Sequence, residues 1–169
     1  MKAIIHKVVC KSTVLAMLAF CLSACSDKGT GKIDPTAPEK ITCEKNLRQI
    51  GISMQHWALD HNNQFPFNVS TNEGGTREIC VAGADGFASD ALPSLLATDE
   101  LNTPAILVCP TDAAKKPATS FASLKPENLT YRLRVGTNVS PNNPKEVLAI
   151  CPVDGNTLYC NGSVKLGKR

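Results

Sequence analysis

Cysteine carries most of the chemistry available to this chain. Its 169 residues include eight cysteines, at positions 10, 21, 25, 43, 80, 109, 151 and 160, beside three histidines and fifteen acidic side chains. A thiol can join a disulfide, hold a soft metal, attack an electrophile or take a lipid, and spacing helps to tell these apart. No Cys-x-x-Cys occurs, and no cysteine–histidine pair has the spacing of a zinc ligand set, so neither a zinc ribbon nor a thioredoxin-like dithiol is expected. His56 and His61 stand five apart, which puts them on different sides of a helix. No Ser/His/Asp order, phosphate loop or pair of carboxylates in an apolar frame is present. The expectation is a protein that is not an enzyme, with no catalytic residue, no cofactor and no bound metal.

The elements that must position these residues are organised around Thr42 to Phe67. Leu47, Ile50, Met54 and Trp57, with Ala58, recur at steps of three and four and make one apolar helical face. Thr42 is the expected N-cap, Glu44 suits the first turn, Asn62 and Asn63 tolerate a left-handed end, and Pro66 forbids continuation. Residues 68–88 are polar and rich in glycine, an excursion over the surface. Asp90 to Ala97 predicts a short helix with Leu92, Leu95 and Leu96 inward and Asp90 capping. Ile106 to Cys109 reads as a short strand ended by Pro110. Leu129, Tyr131, Leu133 and Val135 alternate with Thr130, Arg132 and Arg134, the pattern of a strand buried on one side. Val147 to Cys151 and Thr157 to Cys160 flank Asp154-Gly155-Asn156, a hairpin signal. One long helix followed by an antiparallel meander of three to four strands gives an α+β class.

The N-terminus reads as an export signal: a basic stretch to Lys11, then a short apolar run from Ser12 to Leu22, too short to span a bilayer comfortably. Leu22-Ser23-Ala24-Cys25 resembles the bacterial lipobox, which is cut before the cysteine. The resemblance implies a signal over 1–24 and lipidation of Cys25 with diacylglycerol and an N-acyl (palmitate-type) chain, enough for stable anchoring. Ser26, rather than Asp, after the cysteine is similar to the outer-membrane sorting choice. Residues 25–40 make a flexible tether and 41–169 a globular domain. Three of the eighteen cations, Lys2, Lys7 and Lys11, lie in the signal, and the fifteen that follow balance the fifteen acids. No basic field argues for nucleic acid.

Cys43 to Trp57 followed by Gln64-Phe65-Pro66 resembles the start of the soluble part of bacterial pseudopilins related to the type II secretion major pseudopilin. Downstream, 68–76 (NVSTNEGGT), 100–104 (ELNTP), 106–112 (ILVCPTD), 116–119 (KPAT) and 128–131 (NLTY) are similar in order and spacing to pseudopilin-like proteins of Verrucomicrobia and relatives. The resemblance implies a pilin-like fold and a lipid-anchored envelope protein that acts through protein–protein contacts, linked to type II secretion or a related pilus-like system. The alternative is a small-ligand-binding module or enzyme on that scaffold, in the periplasm or at the surface. The chain departs from the family by replacing the Glu-bearing hydrophobic stem with a lipoprotein signal and tether, and by placing Cys151 and Cys160 in its C-terminal hairpin. Major pseudopilins bind calcium in a C-terminal loop, which makes Asp112 and Asp154 candidate ligands, although a turn role is the preferred reading of both.

With Cys10 and Cys21 in the signal and Cys25 lipidated, five thiols enter an oxidising compartment. The family often carries cysteines at the positions of Cys43 and Cys109, and a Cys43–Cys109 bridge is expected. It would close a loop of about 65 residues, worth roughly 4 kcal/mol in the chain-entropy model. A second bridge, Cys151–Cys160, is expected from a two-residue turn at Gly155-Asn156, which would set the two opposite each other; a turn at Asp154-Gly155 would separate them. Cys80 is left over, free or available to a second molecule.

Overall fold

The computed structural model describes residues 37–168. Cys25, the signal and residues 25–36 of the expected tether lie outside them.

Helix α1 spans Ala37–Leu59, so it starts about five residues before Thr42. Pro38 near its start is tolerated because the first amides have no intrahelical partner. Thr42 is therefore an interior residue: its hydroxyl donates to the Pro38 carbonyl at 2.9 Å and caps nothing. The C-terminal end follows expectation, with Asn62 and Asn63 at φ of 54° and 59°. Cys43, Leu47, Ile50, Met54 and Ala58 are all buried, while Trp57 is only partly covered and stacks on His61 with ring centroids 3.5 Å apart.

The sheet is antiparallel, in the order β1 (Arg132–Leu133), β2 (Val147–Ile150), β3 (Thr157–Tyr159) and β4 (Val164–Lys165). Each strand follows its neighbour in sequence, with a long connection over residues 134–146 between β1 and β2 and shorter ones over 151–156 and 160–163. A bulge between Val147 and Ala149 shifts the β2–β3 register. Leu133, Leu148 and Leu158 drive the sheet's apolar face into the core. Gly51 lets α1 come close to β3, since a Cβ there would stand 2.9 Å from a Leu158 methyl. The α+β class is as expected, with four strands.

Helix α2 (Leu92–Leu96) keeps Asp90 at its start, where the carboxylate accepts from the Leu92 amide at 3.0 Å. It buries Leu92 and Leu95 but leaves Leu96 39 % exposed, contrary to expectation. The strand expected over Ile106–Cys109 is instead a 3-10 turn at Pro104–Leu107 followed by extended Val108. Thr103 accepts from the Ala105 amide, and Pro104 at the first position favours the tight turn. No helix of the described residues is long and apolar enough to cross a membrane.

Leu158 is fully buried between α1 and the sheet, whereas Leu59 is 76 % exposed. Leu158→Ala should cost about 2–5 kcal/mol in urea denaturation, and Leu59→Ala should change stability by no more than about 0.5 kcal/mol.

Candidate metal centre

Three segments far apart in sequence converge on one buried point. Helix α1 supplies Cys43, on the face that packs against the sheet. The stretch after the 3-10 turn supplies Cys109. Its amide donates to Thr130 Oγ1 at 3.1 Å, and that hydroxyl donates in turn to Asp112 Oδ2 at 2.8 Å. Asn46 ties the stretch to α1 by donating to the Val108 carbonyl at 3.1 Å.

The loop between β2 and β3 supplies the rest. Cys151 and Asn156 close it, with the Cys151 amide donating to the Asn156 carbonyl at 2.8 Å and the Gly155 amide to the Cys151 carbonyl at 2.9 Å. Gly155 takes φ of 71°, which that bend requires. The four residues inside, Pro152 to Gly155, fold Asp154 back beneath Cys151. The chain end then passes so close that a Cβ on Gly167 would fall 2.1 Å from the Asp154 carbonyl oxygen.

The result is a cluster of Cys43, Cys109, Cys151 and Asp154, all buried, with ligand atoms within 4.8 Å of one another. Cys109 Sγ donates to Asp154 Oδ2 at 3.2 Å. Each sulfur also faces a polar group of its own: Asn156 Nδ2 donates to Cys43 Sγ at 3.3 Å, the Asp154 amide to Cys151 Sγ at 3.4 Å, and the Thr111 hydroxyl lies 3.1 Å from Cys109 Sγ. Tyr131 is 3 % exposed, and its hydroxyl lies against Asn46 and Cys43 without a well-formed hydrogen bond to either.

Hydrogen bonds from Cys109, then from Cys43 and the backbone, draw the Cys151 thiol down to about 3. The hydrogen bonds that link Cys43 to Cys109 and Cys151, followed by burial, push Cys43 far the other way. Within the cluster Cys151 is thus the sulfur that most favours the anionic form and Cys43 the one that least favours it. The two thiols outside it behave as ordinary buried groups: burial raises Cys80, and raises Cys160 to about 11.

The hairpin register overturns one expected pairing. Ile150 faces Thr157 and Ala149 faces Leu158, so Cys151 lies opposite Asn156, while the Cys160 amide reaches the Glu146 carbonyl at 2.9 Å. Cys151 and Cys160 sit toward opposite ends of the hairpin, and a bridge between them has no geometric basis. The cause is a loop with four residues inside it rather than a two-residue turn; Pro152, which has no amide to give a ladder, falls within that loop. Cys43 and Cys109 do come together, as free thiols and with Cys151 as a third member. His56 and His61 stay away from the cluster: His56 pairs with exposed Glu100 at 2.7 Å, and His61 stacks on Trp57. Asp112 has the turn role preferred from the sequence, with Oδ1 accepting from the Ala114 amide at 3.1 Å.

Sequence reasoning gave Asp154 to a turn or to calcium and did not join it to the thiols. A signal was there in Cys151-Pro152-Val153-Asp154, a two-residue ligand spacing with a carboxylate where a second thiol is usual. Chemically, three thiolates and a carboxylate can hold one soft or borderline divalent ion, or any two of the sulfurs can be oxidised to a disulfide. No family model, curated protein or solved structure matches the chain.

Cys160 gives a test of the burial assigned to it. Its folded-state pKa of about 11 lies above the roughly 8.5 of an unfolded cysteine. A raised pKa contributes stability that is complete below about 8.5 and is lost as pH rises through the folded value. Urea denaturation of the reduced protein should therefore show stability falling from about pH 8.5 to about pH 11, and Cys160→Ala should make that fall shallower without removing it, since Cys43 and Cys80 are raised as well.

Proposed function

We propose that the chain is a lipid-anchored envelope protein of pseudopilin-like kind, held to the membrane through Cys25 and acting by protein–protein contact through the outer face of α1. One observation carries the docking part. Ile41, Ile52 and Leu59 are 52 %, 43 % and 76 % exposed. Their separations are close to three and two whole turns, so they form one line along the helix, roughly 27 Å long. That line lies roughly 150° round the helix from the buried stripe of Cys43 to Ala58, on the side turned to solvent. Isolated apolar side chains on a surface need no explanation, but three in register on one helix make a seam for a partner. The pseudopilin resemblance supports a partner belonging to a type II secretion or related pilus-like assembly, the lipobox-like tetrapeptide supports the lipid anchor at Cys25, and Ser26 after it supports an outer-membrane site.

The test uses membranes of the native host. Cys25→Ala should move the protein from the detergent phase to the aqueous phase. Crosslinking followed by affinity capture should recover a defined envelope partner with the wild type, and Ile52→Lys with Leu59→Lys should abolish that recovery without changing urea stability. Partition unchanged by Cys25→Ala would defeat the anchor. Recovery unchanged by the paired lysines would defeat the docking face.

A further inference from the structure

We infer that Cys43, Cys109, Cys151 and Asp154 form a binding site for one zinc-class divalent ion, which clamps α1 to the β2–β3 hairpin. This goes beyond the anchoring and docking proposed above and depends on neither.

Four observations favour a metal over a disulfide. The first is the number and type of groups. Tetrahedral zinc takes four ligands, and its thiolate ligands at about 2.3 Å stand about 3.8 Å from one another. Four donors mutually within 4.8 Å need only a small contraction to reach that geometry. A disulfide uses two sulfurs and leaves the third thiol and the buried carboxylate beside it.

The second is the surroundings of the sulfurs. Cys43 and Cys151 each accept from a separate N–H, and Cys109 has the Thr111 hydroxyl at hydrogen-bond distance. Anionic thiolates call for such donors, and metal-bound ligands have their charge and orientation set by them. The poorly accepting sulfurs of a disulfide gain little from them.

The third is Tyr131, whose buried hydroxyl lies against Cys43 and Asn46 without a well-formed hydrogen bond to either. A buried hydroxyl left short of a good acceptor is costly. A thiol on Cys43 is a weak acceptor for it, whereas a metal-held thiolate is a good one.

The fourth is how the loop is built. The Gly155 bend, the Asn156 side chain and the close pass of Gly167 fix Cys151 and Asp154 together. The Asn156 amide is used at both ends, since Nδ2 donates to Cys43 Sγ and Oδ1 accepts from the Gly167 amide at 2.9 Å.

The donor set selects the ion. Sulfur-rich four-coordination suits zinc and disfavours calcium or magnesium, which want oxygen ligands. With all four positions taken by protein and no exposed ligand, the centre is structural. Binding displaces the remaining thiol protons, so affinity falls as pH falls.

The experiment uses the full-length chain in detergent, purified with reductant, stripped with chelator and titrated with zinc chloride, with cobalt chloride as the spectroscopic probe. The expected result is one equivalent of zinc, and for cobalt a thiolate charge-transfer band with the intense visible bands of a tetrahedral site. Cys80→Ser and Cys160→Ser should keep both. Cys151→Ser should abolish the charge-transfer spectrum or weaken binding at least a hundredfold. Tyr131→Phe, which keeps the packing and removes only the hydroxyl, should keep the fold and weaken zinc about ten- to a hundredfold. Asp154→Cys should bind at least as tightly as the wild type, which guards against variants that fail only because they do not fold. Absence of stoichiometric binding by the reduced wild type would overturn the inference, as would zinc affinity indifferent to both Cys151→Ser and Tyr131→Phe. It would also be overturned by a disulfide joining two of Cys43, Cys109 and Cys151 in protein isolated from the host with its thiols trapped.

Discussion

Burial of one stripe of α1 decides where every other element can go. Cys43, Leu47, Ile50, Met54 and Ala58 are essentially inaccessible to water, and β3 with Leu158 is drawn against them at the point where Gly51 leaves room. Since β2 and β4 pair with β3, and β1 with β2, the position of the whole meander follows from that single helix–strand contact. The helix could not form alone with much stability in water, because most helical stability in proteins comes from packing an apolar face. Sheet and helix therefore depend on each other, and a cavity at Leu158 affects both.

Polar groups do a different job. Thr130 receives the Cys109 amide and donates to Asp112, so the turn that carries Cys109 is tied to the chain entering β1. Outside, Asp85 pairs with Arg132, whose guanidinium lies 4.5 Å from the centroid of the Phe87 ring, with Arg134 at 6.0 Å. That layer covers the solvent side of β1 and joins the long excursion after α1 to the sheet by cation–π contact. Such exposed pairs contribute little individually, and their value lies in fixing where the excursion returns.

Periodicity made the helix legible, because the 3.6-residue recurrence from Leu47 to Ala58 is local and the stripe is buried except at Trp57, which is only partly covered. The alternation from Leu129 to Val135 was legible for the same reason, although Thr130, expected on the wet face, is buried as a hydrogen-bonding bridge. The start of α1 was hidden by Thr42, whose type suits a cap but whose hydroxyl can equally turn back to the carbonyl four residues earlier. Ile106 to Cys109 misled because four apolar residues have no measurable period, and the Thr103-Pro104 pair that sets the 3-10 turn lies before the run. The hairpin was visible in Asp154-Gly155-Asn156, but its loop length was not. A shift of a few residues there separates Cys151 from Cys160 and delivers Cys151 to α1. Of the cluster, the meeting of Cys43 with Cys109 was expected and the Cys151–Asp154 spacing was local, but that the two pairs meet was hidden because only tertiary structure brings their three segments together.

That separation along the chain has a consequence for the order of events during synthesis. Cys43 emerges first, Cys109 next and Cys151 with Asp154 last of the four, while Gly167, which crosses behind Asp154, comes later still. No nascent fragment that stops before Asp154 can hold all four groups, so the cluster cannot act as an early seed for the domain. Contacts of such long sequence separation slow folding, because the loop-closure entropy falls due before the contacts can offset it. During that interval Cys43 and Cys109 are both present without their third partner. The identity of the first reagent to reach them then determines which of two covalent states the finished molecule inherits.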